Sequence, residues 1–328
     1  MSSIPYSRYL FYPVTWYSFL IVVGAALALF LSFREEKRVQ LPHDTVLDLA
    51  LWLIPGGIIG ARIYYVLFSF DQFRNDLISV FRIWEGGLAI YGGIIAGLLI
   101  MFFFCRRRNI PFLQLCDVVV PGLAVAQAIG RWGNWFNMEA YGLPITGSSF
   151  PCVFPLAVQI PADGYTWHLA TFFYESVWDF ILFVFLLITR HTLLNHKKGD
   201  VLFFYLFLYA SGRLIIEELR MDSLYASSVR VSQLLSVLLC IFILIRYRLS
   251  TVKSLQKHSV LSFLLFLSSV ISSIFILLYS LWGHSLFALS QKSTVILLCV
   301  CSAVMISGFC SVYFLRGFQE DHNADNRI

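Results

Sequence analysis

Long apolar runs alternate with short polar connections along most of the chain. A helix needs about 20 mostly apolar residues to cross the hydrocarbon core of a bilayer. Nine segments approach or exceed that length: residues 16–33, 47–70, 86–104, 112–130, 170–189, 200–219, 231–246, 259–281 and 294–315. The pattern predicts an all-α polytopic membrane protein, because a helix satisfies its backbone hydrogen bonds within lipid.

Clusters of basic residues follow the first, third, fifth and seventh of these segments. They are "REEKR" at 34–38, "CRRRN" at 105–109, "RHTLLNHKK" at 190–198, and the stretch from Arg246 to Lys257. Lys and Arg are enriched in cytoplasmic loops, so the pattern predicts an N-terminus outside the cytoplasm. Only 13% of the residues are charged, against about 25% in soluble domains. The net charge of +5 arises from these loops and does not indicate a nucleic-acid partner.

The connections and the cysteines complete this outline. Residues 69–87 predict an amphipathic interfacial helix, and residues 131–169 form the longest connection, which favours a functional role. The seven cysteines show neither a disulfide framework nor metal-ligand spacing. Residues 1–250 are expected to form a seven-span core. Residues 251–328 are expected to add a two-span hairpin and a short cytoplasmic tail.

Ionisable residues fall inside several of the apolar segments. They include Arg62, Asp117, Glu175, Asp179, Arg213 and Glu217. Each such residue costs about 2.5–3.5 kcal/mol at the centre of a span and therefore needs a partner or a purpose. Taken singly, Arg62, Asp117 and Asp179 favour structural ion pairs. Arg213, Glu217 and Arg220 have the spacing of one helix face.

Six arginines map to the outer half of the spans or to the exterior. They are Arg62, Arg82, Arg131, Arg213, Arg220 and Arg230. The planar guanidinium group binds phosphate through two hydrogen bonds and stays charged at any physiological pH. Arginines gathered at the depth of the outer headgroups therefore indicate a phospholipid ligand.

Glycine pairs spaced four residues apart occur in "GGIIG" (56–60) and "GGIIAG" (92–97). Such spacing is typical of close helix packing, which is the interpretation for the first pair. Gly92 and Gly93 follow Tyr91. For these two, the approach of a ligand to the backbone remains an equal alternative.

The stretch "GRWGNWFNMEAYG", residues 130–142, combines charge, amides and glycines. Arg131 supplies positive charge, Asn134 and Asn137 supply amide donors, and Glu139 can hold an arginine or act as a base. The glycines are expected to break the helix and free backbone N–H groups. The stretch predicts a site for an anionic polar ligand at the membrane surface.

This stretch also resembles the signature of the prolipoprotein diacylglyceryl transferase family. Supporting segments occur in the expected order: "WYS" (16–18), "GARIYYVLF" (60–68), "FRIWEGGLAIYGG" (81–93), "TFFYES" (171–176) and "YASGRLIIEELR" (209–220). The resemblance covers about residues 10–250. It implies transfer of a diacylglyceryl group from phosphatidylglycerol to the lipobox cysteine of a preprolipoprotein, with release of glycerol phosphate. The family works in the bacterial cytoplasmic (inner) membrane and uses no metal or dissociable cofactor.

The resemblance also implies roles for individual residues. Arg131 and Arg213 would clamp the lipid phosphate, and Tyr17 would line the lipid site. The residues that would orient the arginines are Asn134, Asn137, Glu139 and Glu217. Further substrate-binding candidates are Arg62, Gly92, Gly93, Gly142 and Arg220.

Two positions depart from the family pattern. Tyr91 stands where members commonly have histidine, and a phenol with an ordinary pKa near 10 is a poor base at neutral pH. Either Tyr91 only hydrogen-bonds the lipid phosphate, which we favour, or the proton leaves through a group such as Glu139 or Glu217. His168 is displaced by one residue from the family's histidine and is expected to be a satisfied loop residue.

A transporter or flippase for an anionic lipid is the alternative function. It would predict repeat symmetry between the halves and matching broken helices. The sequence shows neither feature.

Overall fold

The computed structural model describes residues 4–5, 7–74, 76–145, 151–194, 197–223, 225–226, 229–252, 260–286 and 291–325. Helices dominate these ranges: α1 (Trp16–Arg38), α2 (Thr45–Phe68), α3 (Ile90–Arg108), α4 (Phe112–Asn137), α5 (Thr171–Thr189), α6 (Asp200–Leu219), α7 (Val231–Val252), α8 (Val260–Leu286) and α9 (Gln291–Asp325). Within the described residues, seven helices are long and apolar enough to cross a membrane, namely α1 to α5, α7 and α9. The predicted all-α polytopic class is confirmed.

Two of the nine predicted spans are not among those seven. Helix α6 carries Arg213, Glu217 and Glu218 within its last two turns, which makes it too polar to count by composition alone. Helix α8 has a shorter apolar stretch, Leu264–Tyr279, within the part of the chain that the structure describes. The sidedness of the spans stays a prediction.

The described residues also form three short antiparallel hairpins, the first before α1 and the other two between helices. They pair β1 (Tyr9–Phe11) with β2 (Val14–Thr15), β3 (Ala157–Ile160) with β4 (Thr166–Leu169), and β5 (Tyr225–Ala226) with β6 (Val229–Arg230). The middle hairpin lies in the long connection after α4, with Ala157 opposite Leu169 and Ile160 opposite Thr166. The connection expected to carry function is therefore ordered where it is described.

The chain divides into two compact units. One comprises Met1–Gly24 with Leu123–Ile328, and the other comprises Ala25–Gly122. In the second unit, α2 and α3 pack closely through glycines. A Cβ atom on Gly60 would lie 2.2 Å from the Ala96 side chain, and one on Gly92 would lie 2.4 Å from the Gly60 carbonyl oxygen. Helix packing thus accounts for Gly60 and Gly92, whereas a Cβ on Gly93 would have its nearest contact at 3.5 Å.

The predicted interfacial helix over residues 69–87 is wrong. The structure has three short 3-10 helices there: Phe70–Gln72, Leu77–Phe81 and Ile83–Glu85. The guanidinium group of Arg62 explains the difference, because it takes up carbonyl groups that a continuous α-helix would use internally. It donates to the backbone oxygens of residues 79, 80, 82, 86 and 87 at 2.6–3.4 Å. These contacts favour a structural role for Arg62, and its part in lipid binding stays a prediction.

In the first unit, α9 packs against α6 and α7. Phe309 stacks on Phe207 with ring centroids 4.3 Å apart. The Tyr313 hydroxyl donates to Asp200 Oδ2 at 3.1 Å, and the Tyr247 hydroxyl donates to Asp200 Oδ1 at 2.7 Å. The C-terminal hairpin is thus tied to α6 by buried aromatic packing and a buried carboxylate. Its status as a separate division after residue 250 stays a prediction.

Candidate active site

Glu175, in the first turns of α5, is the centre of a buried ionic cluster in the first unit. Its side chain is only 2% exposed. Oε1 accepts a hydrogen bond from Arg131 Nη2 at 2.5 Å, and Arg213 Nη1 lies 3.0 Å from Oε1 and 2.9 Å from Oε2. One carboxylate therefore holds the two arginines that the sequence predicts as phosphate clamps.

Helix α6 supplies the opposite side of the cluster. Tyr209, Arg213 and Glu217 recur at four-residue intervals, so they lie on one helix face. Arg213 Nη2 donates to Glu217 Oε2, and the Tyr209 hydroxyl lies 3.4 Å from Glu175 Oε1. Arg213 therefore sits between two carboxylates, and the orienting role of Glu217 stays a prediction.

Arg220, at the end of α6, is a third arginine near Glu175, and Gly142 of the chain after α4 lies beside it. Arg220 Nη1 lies 3.8 Å from Glu175 Oε2, and the guanidinium group binds both oxygens of Asp222 at 2.8–2.9 Å. Gly142 pairs with Arg220 in an isolated β-bridge. A Cβ atom on Gly142 would meet the Leu219 carbonyl oxygen at 2.6 Å. Gly142 therefore lets the chain after α4 lie against the end of α6.

The signature stretch begins as helix and leaves it later than expected. Gly130 and Gly133 both lie within α4, which ends at Asn137. The prediction that these glycines break the helix is wrong. A Cβ atom on Gly133 would lie 2.6 Å from the Tyr17 ring, so this glycine makes room for Tyr17 of α1. The turn itself falls at Met138 and Ala140, which have φ values of 56° and 54°.

The amides of the signature stretch converge on Glu139. Asn134 Nδ2 donates to Glu139 Oε1 at 2.9 Å, and Asn137 Nδ2 donates to the same atom at 3.2 Å. Tyr17 interacts electrostatically with both Glu139 and Arg131. The structure thus brings Tyr17 and this amide–carboxylate group to the same end of α4 as the arginine cluster.

Further polar side chains lie one helical turn from Glu175 and from Arg131. Asp179 is one turn beyond Glu175 on α5 and is fully buried. Gln127 is one turn before Arg131 on α4, and its Oε1 accepts a hydrogen bond from the Tyr205 hydroxyl at 2.6 Å. The rings of Tyr205 and Tyr209 stack with centroids 5.7 Å apart.

Comparison with known proteins identifies the family of the chain. A family model described as prolipoprotein diacylglyceryl transferase matches residues 7–248. The chain belongs to the prolipoprotein diacylglyceryl transferase family. The resemblance seen in the sequence is confirmed, and so is its assignment to an enzyme class, the transferases. The matched region ends within α7, so α8 and α9 lie beyond it.

Curated relatives carry the name phosphatidylglycerol--prolipoprotein diacylglyceryl transferase. The relative from Enterococcus faecalis is 47% identical over 231 residues, which cover 69% of this chain and 83% of the relative. One from Clostridium botulinum is 44% identical over 227 residues, covering 69% and 88%. One from Streptococcus agalactiae is 42% identical over 239 residues, covering 72% and 92%.

The two units of this transferase contain different parts of the predicted site. The first unit holds Tyr17, Arg131, Asn134, Asn137, Glu139, Gly142, Arg213, Glu217 and Arg220. The second holds Arg62, Tyr91, Gly92 and Gly93. Tyr91 lies in the first turn of α3, with its ring 6.5 Å from that of Tyr64.

Sequence reasoning left Glu175 out of the predicted site. The signal was present, because a carboxylate inside an apolar helix needs a cationic partner, and "FFYES" was one of the segments that supported the resemblance. The sequence alone does not give the rotation of α5 about its axis. That rotation points the Glu175 carboxylate at arginines from α4 and α6.

His168 is a buried residue of the β3–β4 hairpin of the transferase. Its Nδ1 donates to the Gly142 carbonyl oxygen at 2.9 Å, and its Nε2 lies 2.8 Å from Asp163 Oδ2. Hydrogen bonds from the Thr166 hydroxyl and from His168 hold the pKa of Asp163 below its ordinary value. His168 therefore fixes the position of Gly142, consistent with a satisfied loop histidine.

Proposed function

We propose that this chain transfers the diacylglyceryl group of phosphatidylglycerol to the thiol of a lipobox cysteine in preprolipoproteins. The observation that carries the proposal is the convergence of Arg131 and Arg213 on Glu175. Two guanidinium groups held this close can share one phosphate as they share one carboxylate, since both anions accept paired N–H donors. The proposal places the enzyme in a bacterial inner membrane, where both substrates are anchored.

The arginines meet the electrostatic demand of the reaction. The sulfur attacks a glycerol carbon of the lipid, the carbon–oxygen bond to the phosphate breaks, and the leaving glycerol phosphate gains negative charge. Donors fixed before the reaction stabilise such charge without reorganisation, and one donor is typically worth about 2.7–4 kcal/mol. A positive site also favours the thiolate over the thiol, which is the reactive form of cysteine.

In this proposal the carboxylate partners of the arginines orient them. Arg213 donates hydrogen bonds to both Glu175 and Glu217. These bonds restrict rotation of its guanidinium group. Asn134, Asn137 and Glu139 form a second hydrogen-bonded group beside Tyr17. The proposed role of this group in orienting the arginines rests on the family resemblance.

The decisive experiment measures transfer with purified full-length protein, phosphatidylglycerol vesicles and a lipobox peptide. Arg131→Ala and Arg213→Ala should each lower kcat/KM by about 100-fold or more, since each removes a donor to the developing charge. The matched control is Arg74→Ala, which removes an arginine paired with Asp71 on the surface with its side chain 68% exposed. Equal activity of all three variants would reject the proposal.

The route of the thiol proton is tested at Tyr91. We propose that its phenol hydrogen-bonds the lipid phosphate and does not act as the base. Tyr91→Phe should then raise KM for the lipid, by about tenfold for a lost hydrogen bond to a charged group, with little change in kcat. A loss confined to kcat would instead identify the phenol as a proton carrier.

A further inference from the structure

Three sulfur-containing side chains lie together in the second unit, where α3 meets α4. Met101 and Cys105 are one turn apart on one face of α3. Cys116 lies in the second turn of α4, and its thiol donates to Met101 Sδ at 3.5 Å. None of the three residues is more than 8% exposed, and both cysteines are free thiols. We call these three residues the sulfur cluster.

A cavity leads to the sulfur cluster from the turn between α3 and α4. It has a volume of about 330 Å³, and Cys105 is one of the residues that line it. Arg106 and Asn109 line it as well, and both are exposed. The Arg106 guanidinium group lies 5.4 Å from the centre of the Phe102 ring, which forms another part of the wall. A small ion can therefore reach the thiol of Cys105 through this cavity.

The separation of the sulfur atoms suits a shared metal ion. Metal–sulfur bonds are about 2.3 Å long, so two sulfurs on one ion lie within about 4.6 Å of each other. The 3.5 Å between Cys116 Sγ and Met101 Sδ meets this condition. Side chains one turn apart on a helix are neighbours, which brings Cys105 to the same place. The spacing of the cysteines in the sequence does not show this, because helix packing brings them together.

The donor set favours one class of metal. Thiolate and thioether sulfurs are soft ligands, and together they select Cu(I). Within the described residues, no three His, Cys, Asp or Glu side chains are grouped for a metal ion. The third donor of the sulfur cluster is a thioether, whereas structural zinc sites use thiolate, imidazole or carboxylate ligands.

We propose that Met101, Cys105 and Cys116 form a binding site for Cu(I), with the three sulfurs as ligands. Binding replaces the two thiol protons, which pass to water, by two thiolate–copper bonds, and the thioether adds a third bond. The copper enters and stays as Cu(I), so no electron is transferred. Two thiolates and one Cu(I) carry one net negative charge, which Arg106 of the same cavity complements. The site is separate from the proposed transfer reaction.

Titration of the full-length protein with Cu(I) tests this, in detergent, without oxygen and against a competing Cu(I) chelator. The wild type should take up a single ion per chain, with only sulfur ligands in its X-ray absorption spectrum. Cys105→Ser and Cys116→Ser should each lose this binding. Met101→Leu, which is close in volume, should lower the affinity by at least about tenfold, the smallest effect typical even of residues that only support a ligand.

The controls separate this site from other thiols and from damage to the fold. Cys299→Ser removes an exposed thiol of α9 and should bind Cu(I) as the wild type does. Cu(I) should raise the unfolding temperature of the wild type but not of Cys105→Ser, because only a bound ligand stabilises the folded state. Cys105→Ala serves if the serine variant does not fold.

A wild type that leaves all Cu(I) with the chelator, or cysteine variants that bind as tightly as the wild type, would overturn the inference. Binding is measured without lipid or peptide, so a failure of the proposed transfer reaction would be seen separately.

Discussion

Replacing Glu175 with glutamine should damage both the stability and the activity of this transferase. The change removes the charge that Arg131 and Arg213 share, and it turns part of the acceptor into an amide donor that faces guanidinium donors. The three bonds at 2.5, 2.9 and 3.0 Å use the same two oxygens, so their energies do not add separately. Removing one partner of a buried ion pair typically costs about 3–5 kcal/mol.

The activity of Glu175→Gln should fall because the arginines lose their fixed positions. With Glu175 neutral, the two guanidinium groups repel each other and lose their common anchor. We expect kcat/KM to fall by about 100-fold, the effect of a small misplacement of catalytic groups. Glu175→Asp, which keeps the charge on a shorter side chain, should be intermediate.

Two measurements check the effects of this substitution. Thermal unfolding in detergent gives the change in stability, and the transfer assay with phosphatidylglycerol and a lipobox peptide gives kcat/KM. Full activity of Glu175→Gln within about threefold, together with an unchanged unfolding temperature, would refute the reasoning that one carboxylate holds both arginines.

Three further predictions concern the surroundings of the site. Gly142→Ala should destabilise the protein by about 1–3 kcal/mol in thermal unfolding, because the added Cβ meets a backbone oxygen at 2.6 Å. Asp163 has a lowered pKa in the folded state, so its stabilising effect exists above the ordinary carboxyl range and is lost as pH falls. The unfolding temperatures of wild type and Asp163→Asn should therefore differ near neutral pH and converge in acid. Tyr313→Phe removes a buried hydrogen bond to Asp200 at 3.1 Å and should lower the free energy of unfolding by about 1–2 kcal/mol in the same assay. An unchanged unfolding temperature would show that this contact of α9 does not stabilise the core.

The sequence predicted the parts of the fold that depend on transfer between water and lipid. Apolar length locates the spans, and the cost of charge in a membrane marks Arg213 as a residue with a partner or a purpose. Arg131 is singled out instead by its place in the stretch of residues 130–142. These properties belong to single segments, so they can be recognised before the segments are packed. The convergence on Glu175 depends on how three helices are rotated relative to each other, which no single segment encodes.

The incorrect local predictions have the same origin. The pattern of residues 69–87 is amphipathic, yet the backbone there is shaped by Arg62, which binds its carbonyl groups from another helix. Gly133 favours a helix break in isolation, yet α4 continues through it because Tyr17 packs into the space that a side chain would fill. In both places a tertiary contact overrides the local preference of the chain.

The pairing of arginines with carboxylates explains how this site can exist both with and without lipid. A guanidinium group offers five N–H donors, and the described contacts of Arg131 in the cluster go through Nη2 alone. The carboxylates thus neutralise the arginines, while donors on the same guanidinium groups remain to meet a phosphate. A site of arginines alone would repel itself when empty, and a site with one more ionised carboxylate would repel the lipid.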